Sequence, residues 1–380
     1  MMEFPGAPDR QAAADIREAD KLRVVIISDA LPERNGVGTY YHDLVEYLRD
    51  YIEHAELICP YSGVGPWKGR LAFPLPGDRT QKITIPPIRQ IHKCIRHIAP
   101  HAIIVPTPGP YGLLGVYLAK RYSLNLLVGF HTNFEKLTDL YWNPFFGKFS
   151  RTFLRAFHKF FFRHSSLVLA NSKEMAAAAR DMGAGRVRLM GTPISRQFLQ
   201  EPLTPPADGL NRILFAGRLA AEKNLHSVIA AARELPNIQY LIAGDGPLRD
   251  LVITQSRNLS NLTYLGWLAR SSMPATLDSV DMLILPSQVE SFGTAALEAM
   301  ARNRIVLASE KCGIFDWPSL NGNIFRLGKT ESVTDAIRRI AQLDHQQWRE
   351  KAEGACKAAR QFNDWTISNW IEILKTNGAV

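Results

Sequence analysis

Short apolar runs alternate with amphipathic stretches along most of the chain, and this alternation restricts its fold more than any other feature. The runs with the length of a buried strand are 23–29, 55–60, 82–86, 102–107, 126–132, 167–172, 187–193, 212–217, 240–246, 262–267, 282–287, 304–309 and 323–328. Stretches of helical periodicity, such as NLHSVIAAARELP, separate most of them. Apolar strands joined through helices form parallel sheets that are covered on both faces. The sequence therefore predicts an α/β fold.

So many strands in a chain of 380 residues favour two domains over one. The proline-rich segment QEPLTPPADGL is the natural boundary between them. We predict a polar tail over 1–21, a first Rossmann-like domain over 22–197, a linker over 198–210, a second Rossmann-like domain over 211–360 and a C-terminal helix over 361–380. Because ligands bind beyond the carboxyl ends of parallel strands, we expect a binding cleft where the two sheets face each other.

Composition restricts the compartment and the kind of partner. The four cysteines, Cys59, Cys94, Cys312 and Cys356, form no CxxC pair, which argues against a zinc site or a disulfide framework and fits a reducing compartment. The polar N-terminus does not resemble a signal peptide, and no apolar run approaches the roughly 20 residues of a membrane span. We therefore expect a cytoplasmic protein, and the net charge of +9 suits an anionic partner.

The segment PSQVESFGTAALEAM contains two glutamates that packing does not explain. A helix is predicted to begin near Gly293 and Thr294, where its unpaired N–H groups attract a phosphate. Glu298 lies about 6 Å further along this helix, where a carboxylate can accept two ribose hydroxyls. Glu290 precedes the helix and faces the opposite side of the phosphate. Each glutamate alone is more simply a solvated surface residue, but the pair in this setting favours a site for sugar, phosphate and ribose.

A second segment, FAGRLAAEKNL, places two cations after a strand. Arg218 follows the strand directly, and Lys223 lies where the next helix begins. Two cations with a glycine between strand and helix can neutralise a diphosphate. Taken alone, the motif fits solvent-facing charges equally well.

Seven segments together indicate a family. FAGRL…EKN, IAGDGPL, YLGWL and LPSQVESFGTAALEAM follow one another in the second half, after SDALPERNGVGTYYHDLVEYL, FHTNF and LVLANSKEM in the first. Over residues 22–375 the chain resembles the retaining nucleotide-sugar glycosyltransferases of family 4. The resemblance implies the GT-B fold, in which two Rossmann-like parallel-sheet domains face each other across a cleft. The first domain is then on the acceptor side, the second binds the donor, and the last helix crosses back to the first domain.

The resemblance also implies an activity and residue roles. A hexose would pass from a UDP- or GDP-hexose to an acceptor hydroxyl with retention of configuration. The implied catalytic residues are His131, Arg218, Lys223 and Glu290. The implied donor-binding residues are Gly36, Gly38, Gly217, Gly244, Gly266, Leu268, Phe292, Gly293, Thr294 and Glu298.

Within this set, each group has a separate task. The two cations would hold the diphosphate, Glu290 the sugar hydroxyls, and Glu298 the ribose. The glycines of the first domain would close over the phosphates, and the YLGWL loop would flank the base. His131 would reach the sugar near the reaction centre, although a lone histidine is more often structural.

One segment departs from the family, and the reaction has no obvious metal. EKCGIFDWPSL, residues 310–320, stands where the family often carries a GGxPE-like loop, which leaves acceptor binding and domain closure open.

We see neither a protein nucleophile nor a convincing DxD pair in the sequence. We therefore expect no metal and no cofactor besides the donor. The fixed cations would stabilise the leaving diphosphate, which would itself take the acceptor proton.

The segment KFSRTFLRAFHKFFFRH, residues 148–164, predicts a basic amphipathic helix. Its cations, Lys148, Arg151, Arg155, Lys159 and Arg163, fall within about 120° of a helical projection. Predicted on the opposite side are Phe149, Phe153, Phe157, Phe160 and Phe161, with Phe162 left among the cations. Such a helix can bind anionic lipid, so we predict a lipid or lipid-linked acceptor at the inner face of the plasma membrane. The simpler alternative is a packed phenylalanine face and a solvated basic one.

Other classes explain the sequence less well. A nicotinamide dehydrogenase needs a third glycine where Tyr41 stands. A nucleic-acid binder would account for the charge, but no aromatic-basic platform or helix-turn-helix pattern is evident. A transferase with a soluble or polysaccharide acceptor is an alternative, and so is a non-catalytic nucleotide-sugar binder if the 310–320 segment has removed acceptor chemistry.

Overall fold

The computed structural model describes residues 21–32, 36–60, 72–75, 78–131, 144–206 and 209–378, with the backbone alone for 74–75, 78–82, 144–151 and 153. Its strands are β1 (Arg23–Ile27), β2 (His54–Ile58), β3 (Ala72–Leu75), β4 (Asp78–Thr84), β5 (Ala102–Val105), β6 (Asn125–Phe130), β7 (Leu167–Ala170), β8 (Val187–Leu189), β9 (Arg212–Ala216), β10 (Gln239–Ala243), β11 (Leu262–Gly266), β12 (Met282–Leu285), β13 (Ile305–Ser309) and β14 (Phe325–Leu327).

The α-helices over the same residues are α1 (Gly36–Leu48), α2 (Ile88–Ile98), α3 (Pro110–Arg121), α4 (Pro144–His164), α5 (Lys173–Asp181), α6 (Arg196–Leu199), α7 (Leu225–Glu234), α8 (Arg249–Asn258), α9 (Met273–Asp278), α10 (Thr294–Ala301), α11 (Pro318–Asn321), α12 (Val333–Ala341) and α13 (His345–Gly378). Short 3₁₀ turns are formed by Ala221–Lys223, Arg270–Ser272 and Gly313–Asp316. No helix in these ranges combines the length and the hydrophobicity that crossing a bilayer requires.

Two six-stranded parallel sheets carry the two domains, which confirms the predicted α/β class. The first sheet has the order β2-β1-β5-β6-β7-β8 and the second the order β11-β10-β9-β12-β13-β14. Their central strands, such as AIIV in β5 and MLIL in β12, are buried at every position. Burial on both faces explains why these strands are continuous apolar runs and do not alternate.

One predicted strand lies outside both sheets. Residues 82–84 end β4, which pairs antiparallel with β3, so that Phe73 stands opposite Ile83. The expectation that the 82–86 run joins a parallel sheet was wrong. Phe73, Ile83 and Ile85 are between 38% and 53% exposed, so this run leaves its apolar side chains at the surface and out of a core.

A single helix joins the two cores. Helix α13 begins in the second domain, where Ala355, Ala359 and Phe362 are buried, and it passes the predicted boundary at residue 361 without a break. Its last turns pack on the first domain, where the Trp370 indole N–H donates to the Tyr40 hydroxyl at 2.9 Å. Both domains therefore depend on the same 34-residue helix.

The segment between the sheets is fastened to the second domain. Phe198 of α6 is fully buried in that domain's core. The Arg302 guanidinium donates to the Gln200 carbonyl at 2.7 Å, and Arg304 donates to the Thr204 carbonyl at 2.7 Å. These bonds satisfy carbonyl groups that proline-rich chain cannot place in a helix or a sheet.

Helix α4 corrects part of the predicted amphipathic pattern. Arg155, Lys159 and Arg163 are exposed, as expected for the basic face. Phe162 is buried and Phe160 is 42% exposed, the reverse of the prediction for both. The helix is rotated so that its buried face is centred on Phe161, because Phe162 and His158 pack against the Phe130 ring at the end of β6. Lys148, Phe149, Arg151 and Phe153 belong to the part of the helix without described side chains.

Candidate active site

The carboxyl ends of the two sheets face each other across a cleft that polar contacts between described residues bridge. The Lys173 backbone N–H donates to the Asp316 carboxylate at 2.6 Å, and the Trp317 indole N–H donates to the Asn171 carbonyl at 3.3 Å. Arg270 makes a third contact, with Asp43 of α1. The carboxyl ends of the two sheets therefore lie along one cleft, as expected.

Lys223 and Glu290 form an ion pair at the edge of the second sheet. Lys223 Nζ lies 2.5 Å from Glu290 Oε2, and the Ser287 hydroxyl donates to the same oxygen at 3.2 Å. Burial lowers the pKa of Lys223, but the Glu290 carboxylate outweighs this and raises it overall, so the ammonium keeps its charge. The structure thus places a cation and an acceptor side by side, beyond the ends of the neighbouring strands β9 and β12.

Arg218 projects from the end of β9 and is paired within its own loop. Its Nη1 lies 3.3 Å from Oε1 of Glu222, a carboxylate that is almost fully buried. Glu222 belongs to the 3₁₀ turn that also carries Lys223. One short turn therefore orients both predicted diphosphate-binding cations.

Helix α10 begins at Thr294, as predicted, and is preceded by Gly293 in a left-handed conformation with φ of 100°. A side chain there would meet Cys312 Sγ at 2.6 Å, so both the backbone angle and the space require glycine. The Cys312 thiol donates to the Phe292 carbonyl, and Ile314 N–H donates to the same carbonyl at 2.9 Å. The backbone of the Glu290–Phe292 loop is thus held by the 310–320 segment.

The predicted glycines of the second sheet lie at adjacent strand ends. Gly217 N–H donates to the Ala243 carbonyl at 3.1 Å, and Gly244 N–H donates to the Gly266 carbonyl at 2.8 Å. A side chain on Gly244 would overlap the Gly217 carbonyl at 1.8 Å. Leu268 follows on the same edge and packs partly against the core. These backbones are close enough for a ligand to contact several of them at once.

Glu298 is buried and paired, not solvated at the helix surface. Its Oε1 lies 2.8 Å from Arg270 Nη1, and the Arg270 Nη2 donates to Asp43 Oδ2 at 2.6 Å. Burial raises the pKa of Glu298, and Arg270 opposes that shift. Neither Arg270 nor Asp43 was predicted from the sequence, because both are separated from Glu298 by many residues.

In the first domain, His131 follows β6 and is enclosed by aromatic side chains. Its Nε2 lies 2.8 Å from the Tyr41 hydroxyl, and the Tyr40 ring is 4.7 Å away between centroids. Burial lowers the pKa of His131 to about 3, so the imidazole is neutral at physiological pH. A small cavity beside it is lined mainly by apolar groups of the neighbouring strand ends and by His158. His131 can therefore form hydrogen bonds but is a poor base.

The two predicted glycines of the first domain lie in the first turn of α1. Gly36 opens the helix and is exposed, and a side chain on Gly38 would overlap the Leu31 carbonyl at 2.1 Å. The start of this helix thus approaches its preceding loop closely.

Among the described residues, one group has the spacing of metal ligands. His42, Asp43 and Glu46 have one ligand atom each within 4.8 Å of one another. Asp43 already carries the Arg270 guanidinium. The Arg270 pair therefore competes with a metal for that carboxylate.

Comparison with known proteins agrees with the geometry of the cleft. Residues 34–198 match the sequence profile of Glycosyltransferase Family 4, and residues 200–362 match that of Glycosyl transferases group 1. Alpha-D-kanosaminyltransferase of Streptomyces kanamyceticus is 33% identical over 153 residues, which cover 38% of this chain and only 39% of that enzyme. The lipopolysaccharide core biosynthesis glycosyltransferase LpsE of Rhizobium meliloti is 24% identical over 273 residues, or 68% of this chain and 78% of LpsE.

The fold itself also has solved counterparts. HepE of Anabaena, in complex with UDP and glucose, superposes with a TM-score of 0.69 at 18% identity, covering 94% of this chain and 100% of HepE. That likeness confirms the predicted GT-B arrangement. Since the two profiles together span both domains, this chain belongs to the group 1 (family 4) glycosyltransferases, which use nucleotide-sugar donors.

Proposed function

We propose that the chain is a retaining, metal-independent hexosyltransferase that uses a UDP-hexose and a lipid or lipid-linked acceptor. The observation that carries the donor side is the grouping of Arg218, Lys223, Glu290 and Glu298 around the start of α10. The complex of HepE with UDP and glucose supports uracil over guanine as the base.

In this proposal, the diphosphate lies between the two cations and the start of α10. A helix start attracts anions through its unpaired N–H groups, and Gly293 leaves the backbone accessible. The Lys223 ammonium would then bind the phosphate and loosen its ion pair with Glu290. The Glu290 carboxylate would become available to accept hydrogen bonds from the hexose hydroxyls. The Glu298 carboxylate would accept the ribose hydroxyls one turn further on.

Departure of UDP is the difficult step, because negative charge develops on the β-phosphate. Arg218 and Lys223 are held by Glu222 and Glu290, so they need little reorganisation when that charge appears. We propose that these fixed cations serve in place of a metal ion and that no cofactor takes part. The departing phosphate would accept the acceptor proton on the face it leaves, which gives retention.

His131 serves this reaction as a neutral hydrogen-bonding group. Its contact with Tyr41 fixes the ring, and its low pKa keeps it uncharged beside the sugar. A neutral imidazole does not compete with the two cations for the diphosphate. We assign it to binding the hexose near the reaction centre and not to proton transfer.

The acceptor proposal rests on one face of the first domain. Helices α2, α3 and α4 all contribute buried side chains to the same cluster and so cover the same side of the sheet. None of the three contains an acidic residue. Their exposed cations are Arg89, Lys93, Arg96, Lys120, Arg121, Arg155, Lys159 and Arg163.

Apolar side chains are exposed on the same domain. Ile88 of α2 is 54% exposed and Tyr117 of α3 is 58% exposed. Cations with interspersed apolar groups suit an anionic membrane surface, at about 1 kcal/mol per basic residue. We therefore propose peripheral binding at the inner face of the plasma membrane. The relative LpsE is a glycosyltransferase of lipopolysaccharide core biosynthesis, which supports a glycolipid acceptor for this chain.

A thermal-shift series with UDP, GDP, ADP and their hexose conjugates tests the donor. A ligand at a hundred times its Kd stabilises a protein by about 2.7 kcal/mol, so the correct nucleotide separates clearly from the others. We expect UDP and a UDP-hexose to raise Tm, with Glu298→Gln abolishing most of the shift. A larger Tm shift with GDP would show that the donor base is guanine. No Tm shift with any nucleotide would refute the proposed function.

A further inference from the structure

Arg270 connects the two domains through two carboxylates. One end of its guanidinium lies 2.8 Å from Glu298 on α10, and the other donates to Asp43 on α1 at 2.6 Å. The exposed fractions of the three side chains are 16% for Arg270, 6% for Glu298 and 2% for Asp43. The link is therefore largely withdrawn from solvent and spans the cleft.

The geometry of the link requires an arginine. A guanidinium has two separate N–H ends that can serve two carboxylates, whereas a lysine is a single point charge. The guanidinium also lies over the Phe198 ring, 5.1 Å from its centroid, which limits its rotation. The guanidinium is thus shared between two buried carboxylates, and Asp43 has a further neighbour in His42, whose Nδ1 lies 3.7 Å from Asp43 Oδ1.

Arg270 also lies between the predicted nucleotide groups. It follows Gly266 and Leu268 in the loop assigned to the base, and its carboxylate partner is the group assigned to the ribose. Asp43 lies on the helix that starts at Gly36, the segment expected to close over the phosphates. Two contacts, from Glu298 to Arg270 and from Arg270 to Asp43, thus connect the proposed ribose site with helix α1 of the first domain.

We propose that Arg270 is a positioning residue that orients Glu298 towards the ribose and, by holding Asp43, couples nucleotide binding to contact between the domains. This inference rests on the proposed role of Glu298. Coupling between sites is reciprocal. Asp43, which lies in the first domain and does not touch the nucleotide, therefore strengthens the binding of the nucleotide to the second domain.

The test is a double-mutant cycle on UDP affinity, measured by calorimetry with the full chain. Asp43→Asn and Arg270→Lys are each expected to weaken UDP binding about tenfold, within the usual range of coupling between sites. The double variant is expected to bind no more weakly than either single one, because both changes break the same link. If Asp43→Asn fails to fold, Arg270→Lys alone still tests the loss of affinity.

The matched control is Asp278→Asn, which breaks another largely buried pair of the second domain, with Arg302 Nη2 at 2.5 Å. It should lower Tm while leaving the Kd for UDP unchanged. The proposal is overturned if wild type binds UDP and both Asp43→Asn and Arg270→Lys bind it equally well, or if the two losses simply add. Absence of UDP binding by wild type would instead refute the proposed donor.

Discussion

The charged side chains of the candidate site are held in pairs by opposite charges. Arg218 lies beside Glu222, Lys223 beside Glu290, and Arg270 between Asp43 and Glu298. Pairing fixes the positions of these groups before a ligand arrives. A diphosphate therefore enters a site whose cations are already oriented.

The two diphosphate cations should each be indispensable for transfer. One preorganised donor to a developing charge is worth about 3 kcal/mol, so Arg218→Ala or Lys223→Ala should lower kcat about a hundredfold or more. The rate is measured as UDP release from the UDP-hexose that gives the largest thermal shift. Arg338→Ala removes an exposed, paired arginine far from this edge and should leave the rate unchanged. A rate within threefold of wild type for both site variants would contradict the assigned roles.

Burial of His131 predicts a pH dependence of stability. The pKa of the folded group is about 3, whereas an unfolded histidine titrates near 6.5. The unfolded chain binds the extra proton between these values, so the free energy of unfolding falls as the pH drops below 6.5. In His131→Gln, the loss between pH 7.5 and pH 5 should shrink by about 2 kcal/mol, measured by urea titration. Exposed His226→Gln is the control, and equal losses in wild type and His131→Gln would reject the buried neutral imidazole.

At the scale of elements, the 310–320 segment, which the sequence sets apart from the family pattern, is a structural connector. Gly313 N–H donates to the Glu290 carbonyl at 3.0 Å, and Asp316 accepts the Lys173 N–H from the first domain. The segment thus contacts both the Glu290 loop and the first domain. The segment therefore holds the backbone of Glu290, whose carboxylate lies beside Lys223.

Gly313→Ala should disturb this support. A methyl group there would lie 1.9 Å from the Ser291 carbonyl and 2.9 Å from Ser172 Cβ, so the loop must move. We expect a lower Tm and weaker binding of a UDP-hexose, with little change in binding of UDP alone, because Glu290 faces the sugar. Gly322→Ala meets nothing within 4 Å and is the matched control. Unaltered binding of the UDP-hexose by Gly313→Ala would show that the segment does not support Glu290.

The basic face of α4 should govern membrane binding. Replacing Arg155, Lys159 and Arg163 by Gln removes about 3 kcal/mol of attraction to anionic lipid, which is more than a hundredfold in affinity. Co-sedimentation with phosphatidylglycerol vesicles at low and high salt measures the change. A control triple variant takes the exposed Arg233, Arg257 and Arg338 of the second domain to Gln. Equal vesicle binding by the two triple variants would favour a soluble acceptor.

At the scale of the whole molecule, α13 packs in the cores of both domains and should couple their unfolding. Trp348 near its start is buried in the second domain, and Trp370 near its end is buried in the first. A helix that supplies core residues to both domains penalises separate unfolding of either.

Removing the distal anchor should separate the two domains thermally. Trp370→Ala leaves a cavity in the first domain that costs about 3–5 kcal/mol. Calorimetry of wild type should give one transition, and that of Trp370→Ala two, of which UDP raises only the upper one. Trp348→Ala should instead weaken the second domain. A single transition at the wild-type temperature for Trp370→Ala would contradict the joint role of α13.

Much of the architecture followed from local pattern. Twelve predicted runs became the two six-stranded sheets, because strands buried on both faces are apolar throughout and are recognisable without their partners. The 82–86 run, by contrast, forms a surface hairpin, and its short apolar pattern does not distinguish the two outcomes. On α4 the order of Phe160 and Phe162 was reversed, because helical spacing defines faces but does not say which face the rest of the domain covers.

The site divides in the same way. Local sequence determined which residues end each strand, and therefore that Arg218, Lys223, Glu290 and the start of α10 meet at one edge. Which charged groups of the other domain lie near these residues was decided by the tertiary structure alone. Asp43 and Glu298 reach the same arginine only when the two domains pack face to face. Contacts between residues so distant in the chain leave no periodic pattern in the sequence.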